Sequence, residues 1–183
     1  WGGDSEGGFP YMLSNPKNPS ELIGFEVDIV NALAERMGRK PVYVNNAWDN
    51  LIPGLQRRLY DIAINGLEVT PEHKNVVNFS IPYYKTYLQL AVRKRENSIK
   101  TLKDCKGKVV GTLKESYAQQ VLEEVSGINI RTYIVEANTY EDLTNGRLDA
   151  ALFDQPIALY SAGLNPEIKF VGPPIGEITY AIA

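Results

Sequence analysis

The sequence is poor in the residues that hold metals and disulfides. Among 183 residues there is one cysteine, Cys105, and one histidine, His73. A single cysteine allows no internal disulfide, and one cysteine with one histidine argues against a Cys/His metal centre. Cys105 sits in Leu102-Lys-Asp-Cys-Lys-Gly107, where a leucine-like side chain would pack equally well, so a bland, partly buried thiol is expected. No apolar run approaches membrane-spanning length. The net charge of −3 gives no reason to expect nucleic acid or anionic lipid as a partner. No phosphate-binding glycine loop and no nucleophile elbow is present, so no cofactor is expected and the chain is read as a non-enzyme. It opens at Trp1 without methionine or a leader, the start expected of a processed or trimmed piece.

What is present is an alternation of helical and strand-like segments. In Gly24–Gly38, Val27, Val30, Leu33, Ala34 and Met37 fall at helical spacing, with Gly38 as the stop. Pro41–Val44 reads as a short strand. Asp49 is placed to cap a helix through Leu51, Ile52, Leu55 and Leu59, and Tyr60–Ile64 reads as the next strand. After a β-like stretch at Tyr87–Arg93, read as a crossover, the alternation restarts. Strands are expected at Lys108–Gly111, Ile130–Val135, Leu148–Phe153 and Ile168–Val171. Helices are expected at Glu115–Val125, Tyr140–Asn145 and Pro156–Ala162. This is the pattern of mainly parallel sheets flanked by helices.

A weak internal echo suggests two lobes. Leu55–Asn65 and Leu143–Asp154 each run from a helix end through a basic residue, Leu and an acid into an apolar strand that ends on a polar side chain. In α/β sheets ligands lie beyond the carboxyl ends of strands. Asn65-Gly66 and Asp154 occupy that position, and two such edges facing one another would make a cleft.

Gly24-Phe-Glu-Val-Asp28, Trp48-Asp-Asn-Leu-Ile-Pro53, Tyr60–Gly66, Val69-Thr-Pro-Glu72, Phe79–Tyr84, Gly107–Gly111 and Gly146–Asp154 follow in order. In that order and spacing they resemble the extracytoplasmic solute-binding proteins of ABC transporters, polar amino acid family, over about Asp4 to Ala183. The resemblance implies a periplasmic-binding-protein-like α/β fold of two lobes joined by a hinge of crossing strands. The expected division is 1–90 for lobe 1, 91–178 for lobe 2 and 179–183 for the start of the second hinge strand. It also implies a further segment that returns to lobe 1 beyond this sequence.

The resemblance implies a ligand role for several positions. Asp154 would accept the α-ammonium of an amino acid, although it is also well placed to cap the helix that Pro156 opens. His73 stands where the family carries an arginine that grips the α-carboxylate, so that contact would be weaker and pH-sensitive. Thr70 and the turn it opens would favour an anion. Glu68 replaces a Ser or Thr of the family. An ionised glutamate cannot donate to a carboxylate, and it suits an ammonium or guanidinium instead. Trp48 matches an aromatic that stacks on the ligand side chain, and Tyr11 is the candidate for a second one. Asp4 and Glu6 would add negative charge, Gly7 and Gly8 would let backbone approach a ligand, and Ser116 would touch the ligand's anionic end. Phe79–Tyr84 is assigned to core and hinge packing.

The expected function is capture of a small polar amino acid or related amine, outside the cytoplasm, for an ABC permease carried on a separate chain or on the same one. The chain itself is expected to be a monomer. A ligand sensor of the same fold, coupled to a kinase or channel, is the alternative. An acid–base lyase built on Glu68 and His73 is a more distant one.

Overall fold

Gly24 decides how the first helix starts. Its φ is +136°, and a Cβ there would lie 2.1 Å from the carbonyl oxygen of Tyr11. Only glycine allows this close passage. The helix α1 (Phe25–Arg36) then begins without a side-chain cap. Its first N–H groups go instead to the carbonyls of Pro10 and Tyr11, each at 3.2 Å. The computed structural model describes residues 1–6, 10–163 and 165–183.

The chain divides into two compact units. One comprises Trp1–Tyr84 with Thr179–Ala183, and the other Lys85–Ile178. In the first unit, β1 (Gly2–Gly3) pairs in parallel with β4 (Val44–Asn45) and bridges Ala63 on its other side, also in parallel. Ala63 in turn exchanges backbone hydrogen bonds with Ala183 at 2.8 and 3.0 Å. An antiparallel hairpin, β2 (Leu13–Asn15) with β3 (Asn18–Ile23), precedes α1. Helix α2 (Leu51–Gln56) and the one-turn α3 (Pro71–Lys74) complete the unit. Leu51, Ile52, Tyr60, Ala63 and Leu67 form its core, with Trp48 packed at the margin.

The second unit is a five-stranded sheet in the order β7-β6-β8-β5-β9. Its strands are β5 (Tyr84–Arg93), β6 (Val109–Leu113), β7 (Asn129–Tyr133), β8 (Ala150–Asp154) and β9 (Ile168–Tyr180). The pairings β6–β7 and β6–β8 are parallel, whereas β5 runs antiparallel to β8. Helices α4 (Tyr117–Glu123), α5 (Glu136–Thr144) and α6 (Gln155–Ile157) pack around it, and α6 continues as a π-helical turn over Ala158–Ala162. Both passages between the units fall inside strands, at the start of β5 and near the end of β9.

Several sequence expectations are corrected. The helix expected through Leu59 ends at Gln56. Arg58 adopts a left-handed φ of +61°, and the N–H of Leu59 returns to Gly54 at 3.0 Å, a tight stop that leaves Leu59 exposed. Asp49 does not cap this helix; it lies inside a 3-10 turn, Trp48–Asn50, that leads into α2. Tyr60–Ile64 makes backbone bridges at Ala63 rather than a full strand. The strand expected at Pro41–Val44 starts only at Val44. The last strand, expected to stop at Val171, continues to Tyr180 through Gly172-Pro173-Pro174.

Candidate functional site

Asn65 organises the strand end of the first unit. Its Oδ1 accepts the N–H of Asp4 at 2.8 Å, and its carbonyl accepts Nε1 of Trp48 at 2.8 Å. Asp4 closes the ring: its Oδ2 accepts the N–H of Trp48 at 2.9 Å and its Oδ1 that of Glu6 at 2.8 Å. Asp4 therefore accepts the first N–H of the Trp48 turn, and its carboxyl joins that of Asp49 at this end. Burial raises the Asp4 carboxyl above its ordinary value, and the two N–H donors oppose that rise. Trp48 is half-buried and Glu6 exposed. Gly7 and Gly8 lie outside the described residues.

Three residues past Asn65, Glu68 is 1% exposed and its backbone bridges Tyr180. Its carbonyl takes both the N–H of Thr70, at 3.0 Å, and Nδ1 of His73, at 2.8 Å. A carbonyl only accepts, so Nδ1 carries the hydrogen and Nε2 is the nitrogen left for other contacts. The hydroxyl of Thr70 accepts the N–H of His73 at 3.2 Å, the N-cap expected from the sequence. In the turn expected to favour an anion, the N–H groups of Thr70 and His73 are thus already engaged.

Tyr11 stands in the core. It is 2% exposed, its hydroxyl meets that of Tyr180 at 3.1 Å, and its ring packs against Phe25 and Tyr180. Tyr84 stacks on Tyr180 with ring centroids 5.7 Å apart. The assignment of Phe79–Tyr84 to packing therefore describes Tyr84 well, but Tyr83 has a further part. It donates its hydroxyl to Oε1 of Glu26, which also accepts the N–H of Gly66 at 2.7 Å. Glu26 is fully buried. Burial pushes its carboxyl up to about 7, against the pull of Tyr83, Gly66 and the neighbouring Asn65 side chain. Sequence reading missed Glu26 as a site residue. The signal was its spacing: Glu26, Val30 and Ala34 share the buried face of α1.

In the second unit, Ser116 is the N-cap of α4. Its hydroxyl accepts the N–H of Gln119 at 3.3 Å and donates to the carbonyl of Leu113 at 2.8 Å. The residue before it, Glu115, has a left-handed φ of +63°, strain that marks this turn. Asp154 ends β8, half-buried, but makes no side-chain cap to α6. Behind it, Tyr140 packs its ring against Phe153 at 5.2 Å, and burial, with Glu136 and Asp154 nearby, holds its hydroxyl well above the ordinary tyrosine range.

Residues 4–155 match the family described as bacterial extracellular solute-binding proteins, family 3. The chain belongs to that family. Among curated relatives it is similar to ABC transporter arginine-binding protein 1 of Escherichia coli (strain K12), 33% identical over 153 residues, covering 81% of this chain and 61% of the relative. It is also similar to the L-cystine-binding protein TcyJ of the same organism, 35% identical over 156 residues, 84% of this chain and 58% of that one. The chain thus spans about three-fifths of the length of these two relatives. Among solved structures, an ancestral arginine-binding protein bound to glutamine superposes with a TM-score of 0.92 at 31% identity, covering 100% of this chain and 81% of the other. The two-lobed periplasmic-binding-protein-like fold read from the family's motifs is therefore the fold of this family member. Among the described residues, no helix is long and apolar enough to cross a membrane, and no group of His, Cys, Asp and Glu could hold a metal ion.

Proposed function

We infer that the chain is the ligand-capturing part of an extracytoplasmic solute-binding protein, taking a small polar amino acid or related amine for import by an ABC permease. The observation that carries this reading is the Asn65–Glu68 strand end. It is nearly inaccessible at Asn65 and Glu68, and it is lined by buried acidic residues: Glu68 within it, Asp4 through its N–H on Asn65 Oδ1, and Glu26 through Oε1 on the N–H of Gly66. Such a rim favours a ligand with positive charge. The first unit contributes the Trp48 ring for stacking, Glu68 for a cationic group and, when His73 is an imidazolium, its Nε2–H for a carboxylate. Within the second unit taken by itself, Asp154 is assigned to an α-ammonium and Ser116 to a ligand's anionic end. Tyr11, Asn65 and Asp4 support the first unit's residues from the core. Relatives whose names specify arginine and cystine support an amino acid as the ligand class. The protein binds its ligand and returns it unchanged.

The test is calorimetry on the full-length protein with arginine, histidine, cystine, glutamine, glutamate and putrescine. A cationic amino acid should bind best, and Asp154→Asn should weaken it by tenfold or more. Tightest binding of glutamate would overturn the cationic preference. Conversion of any of these compounds during the titration would overturn the reading as a binding protein.

A further inference from the structure

Glu26 reaches the strand end from α1, and its chemistry is not spent on ordinary packing. It is fully buried. One oxygen, Oε1, takes both Gly66 N–H and the Tyr83 hydroxyl, while the other, Oε2, has no hydrogen-bond partner. An ionised carboxylate held this way has one oxygen outside any hydrogen bond, which adds to the cost of burying its charge. The titratable groups that face it are Tyr83, from the segment ahead of β5, and Tyr11 behind Tyr83. Among the described residues, no lysine, arginine or histidine pairs with it. Its carboxyl is consequently placed to change charge near neutral pH.

The position gives that charge change a use. Gly66 lies between Asn65, which fixes Asp4, and the buried Glu68. A cation arriving at Asn65–Glu68 favours the ionised form of Glu26 through the low-dielectric interior; a neutral ligand does not. We propose that Glu26 is a proton-linked specificity residue, which holds a proton in the free protein and releases it to solvent when a ligand with a guanidinium or ammonium side chain settles at this strand end. The proposal rests on the amino-acid-binding reading above. Glu26 need not touch the ligand: it acts through Gly66 and Asn65, as a positioning residue whose charge follows that of the guest.

The experiment is calorimetry of the full-length protein at pH 7 in phosphate and in Tris, with arginine and with glutamine. The difference in heat between buffers counts protons. Arginine should release about half a proton and glutamine none, because a group titrating near that pH is about half protonated. Glu26→Gln keeps an acceptor for Gly66 and Tyr83. It should abolish the release and lower the arginine-to-glutamine affinity ratio about tenfold at pH 8. Binding of arginine with equal release by glutamine, or with release unchanged in Glu26→Gln, overturns the proposal and leaves the binding reading standing. Absence of heat with every amino acid overturns the binding reading itself. Should Glu26→Gln not fold, carboxyl-carbon NMR of the natural protein decides. The Glu26 midpoint should fall by more than about one pH unit on adding arginine, and an unmoved midpoint refutes the linkage.

Discussion

The indole nitrogen of Trp48 donates to the carbonyl of Asn65 at 2.8 Å. The bond joins the entry of α2 to the strand end, across 17 residues of sequence. Trp48→Phe keeps an aromatic face and removes the donor. The Asn65 carbonyl then loses its partner, a change worth about 1–2 kcal/mol in urea unfolding. Retention of full stability would mean that water replaces the indole.

Two glycines separate strain from collision. At Gly66 φ is +60° and an added Cβ would meet Tyr11 only at 3.7 Å, an ordinary contact. Gly66→Ala should therefore cost only the left-handed backbone, about 1–2 kcal/mol. At Gly24 the same methyl would strike the Tyr11 carbonyl oxygen at 2.1 Å. Gly24→Ala should lower the melting temperature far more, or prevent folding. Equal effects in thermal melts would contradict this account of the start of α1.

Glu26 makes stability depend on pH. Its carboxyl titrates at about 7 in the folded protein against a reference of 4.5. A value raised by folding means stability that is fully present below about pH 4.5 and lost as pH rises through about 7. At about 1.4 kcal/mol per pH unit, the loss is on the order of 3 kcal/mol. Chemical denaturation at pH 5 and pH 8 should show the natural protein weakening more than Glu26→Gln does. A variant that weakens just as much would place the titrating group elsewhere.

Ser116 combines a cap with a candidate ligand contact, and two substitutions divide these roles. Ser116→Ala removes the acceptor for Gln119 N–H and should cost about 1 kcal/mol. Ser116→Asp can still cap α4, so stability should survive, while its charge repels a ligand carboxylate and affinity falls. Unchanged affinity in Ser116→Asp would remove Ser116 from the ligand set.

Cys105 is fully buried, and burial raises its thiol to about 11. Thiolate is the reactive form. A thiol reagent at pH 8 should label the folded protein hardly at all and the denatured protein completely, which makes labelling a direct reading of unfolding.

Much of this was legible because periodicity survives where a face is buried. The α1 stripe, the Leu88–Val92 run of β5 and the β6-α4-β7-α5-β8 alternation all announce themselves this way. Where backbone alone makes the structure, the signal fades. Two glycines form β1, and the exposed hairpin strand Asn18–Ile23 carries polar residues. In β9, Gly172, Pro173, Pro174 and Gly176 interrupt the alternation that marks a strand. The strand-end residues Asn65-Gly66 and Asp154 could be picked out because polar groups follow an apolar run without a loop. Glu26 stands on the α1 stripe, but a glutamate in the first turn of a helix is ordinary until its neighbours are known, so the stripe alone does not mark it as a site residue. Tyr11 reads as a ligand aromatic in sequence because nothing local says that Tyr180, 169 residues later, meets it.

Residues 179–183 belong with residues 1–84, so the second unit is an uninterrupted insertion within the first. On the ribosome the order of assembly follows from that. The inserted unit has its whole sequence once Ile178 has emerged, whereas Ala63 must wait for Ala183, one of the last residues made of this stretch. A nascent chain halted between the two should already protect β6 and β8 from hydrogen exchange while the partner of Ala63 is still missing.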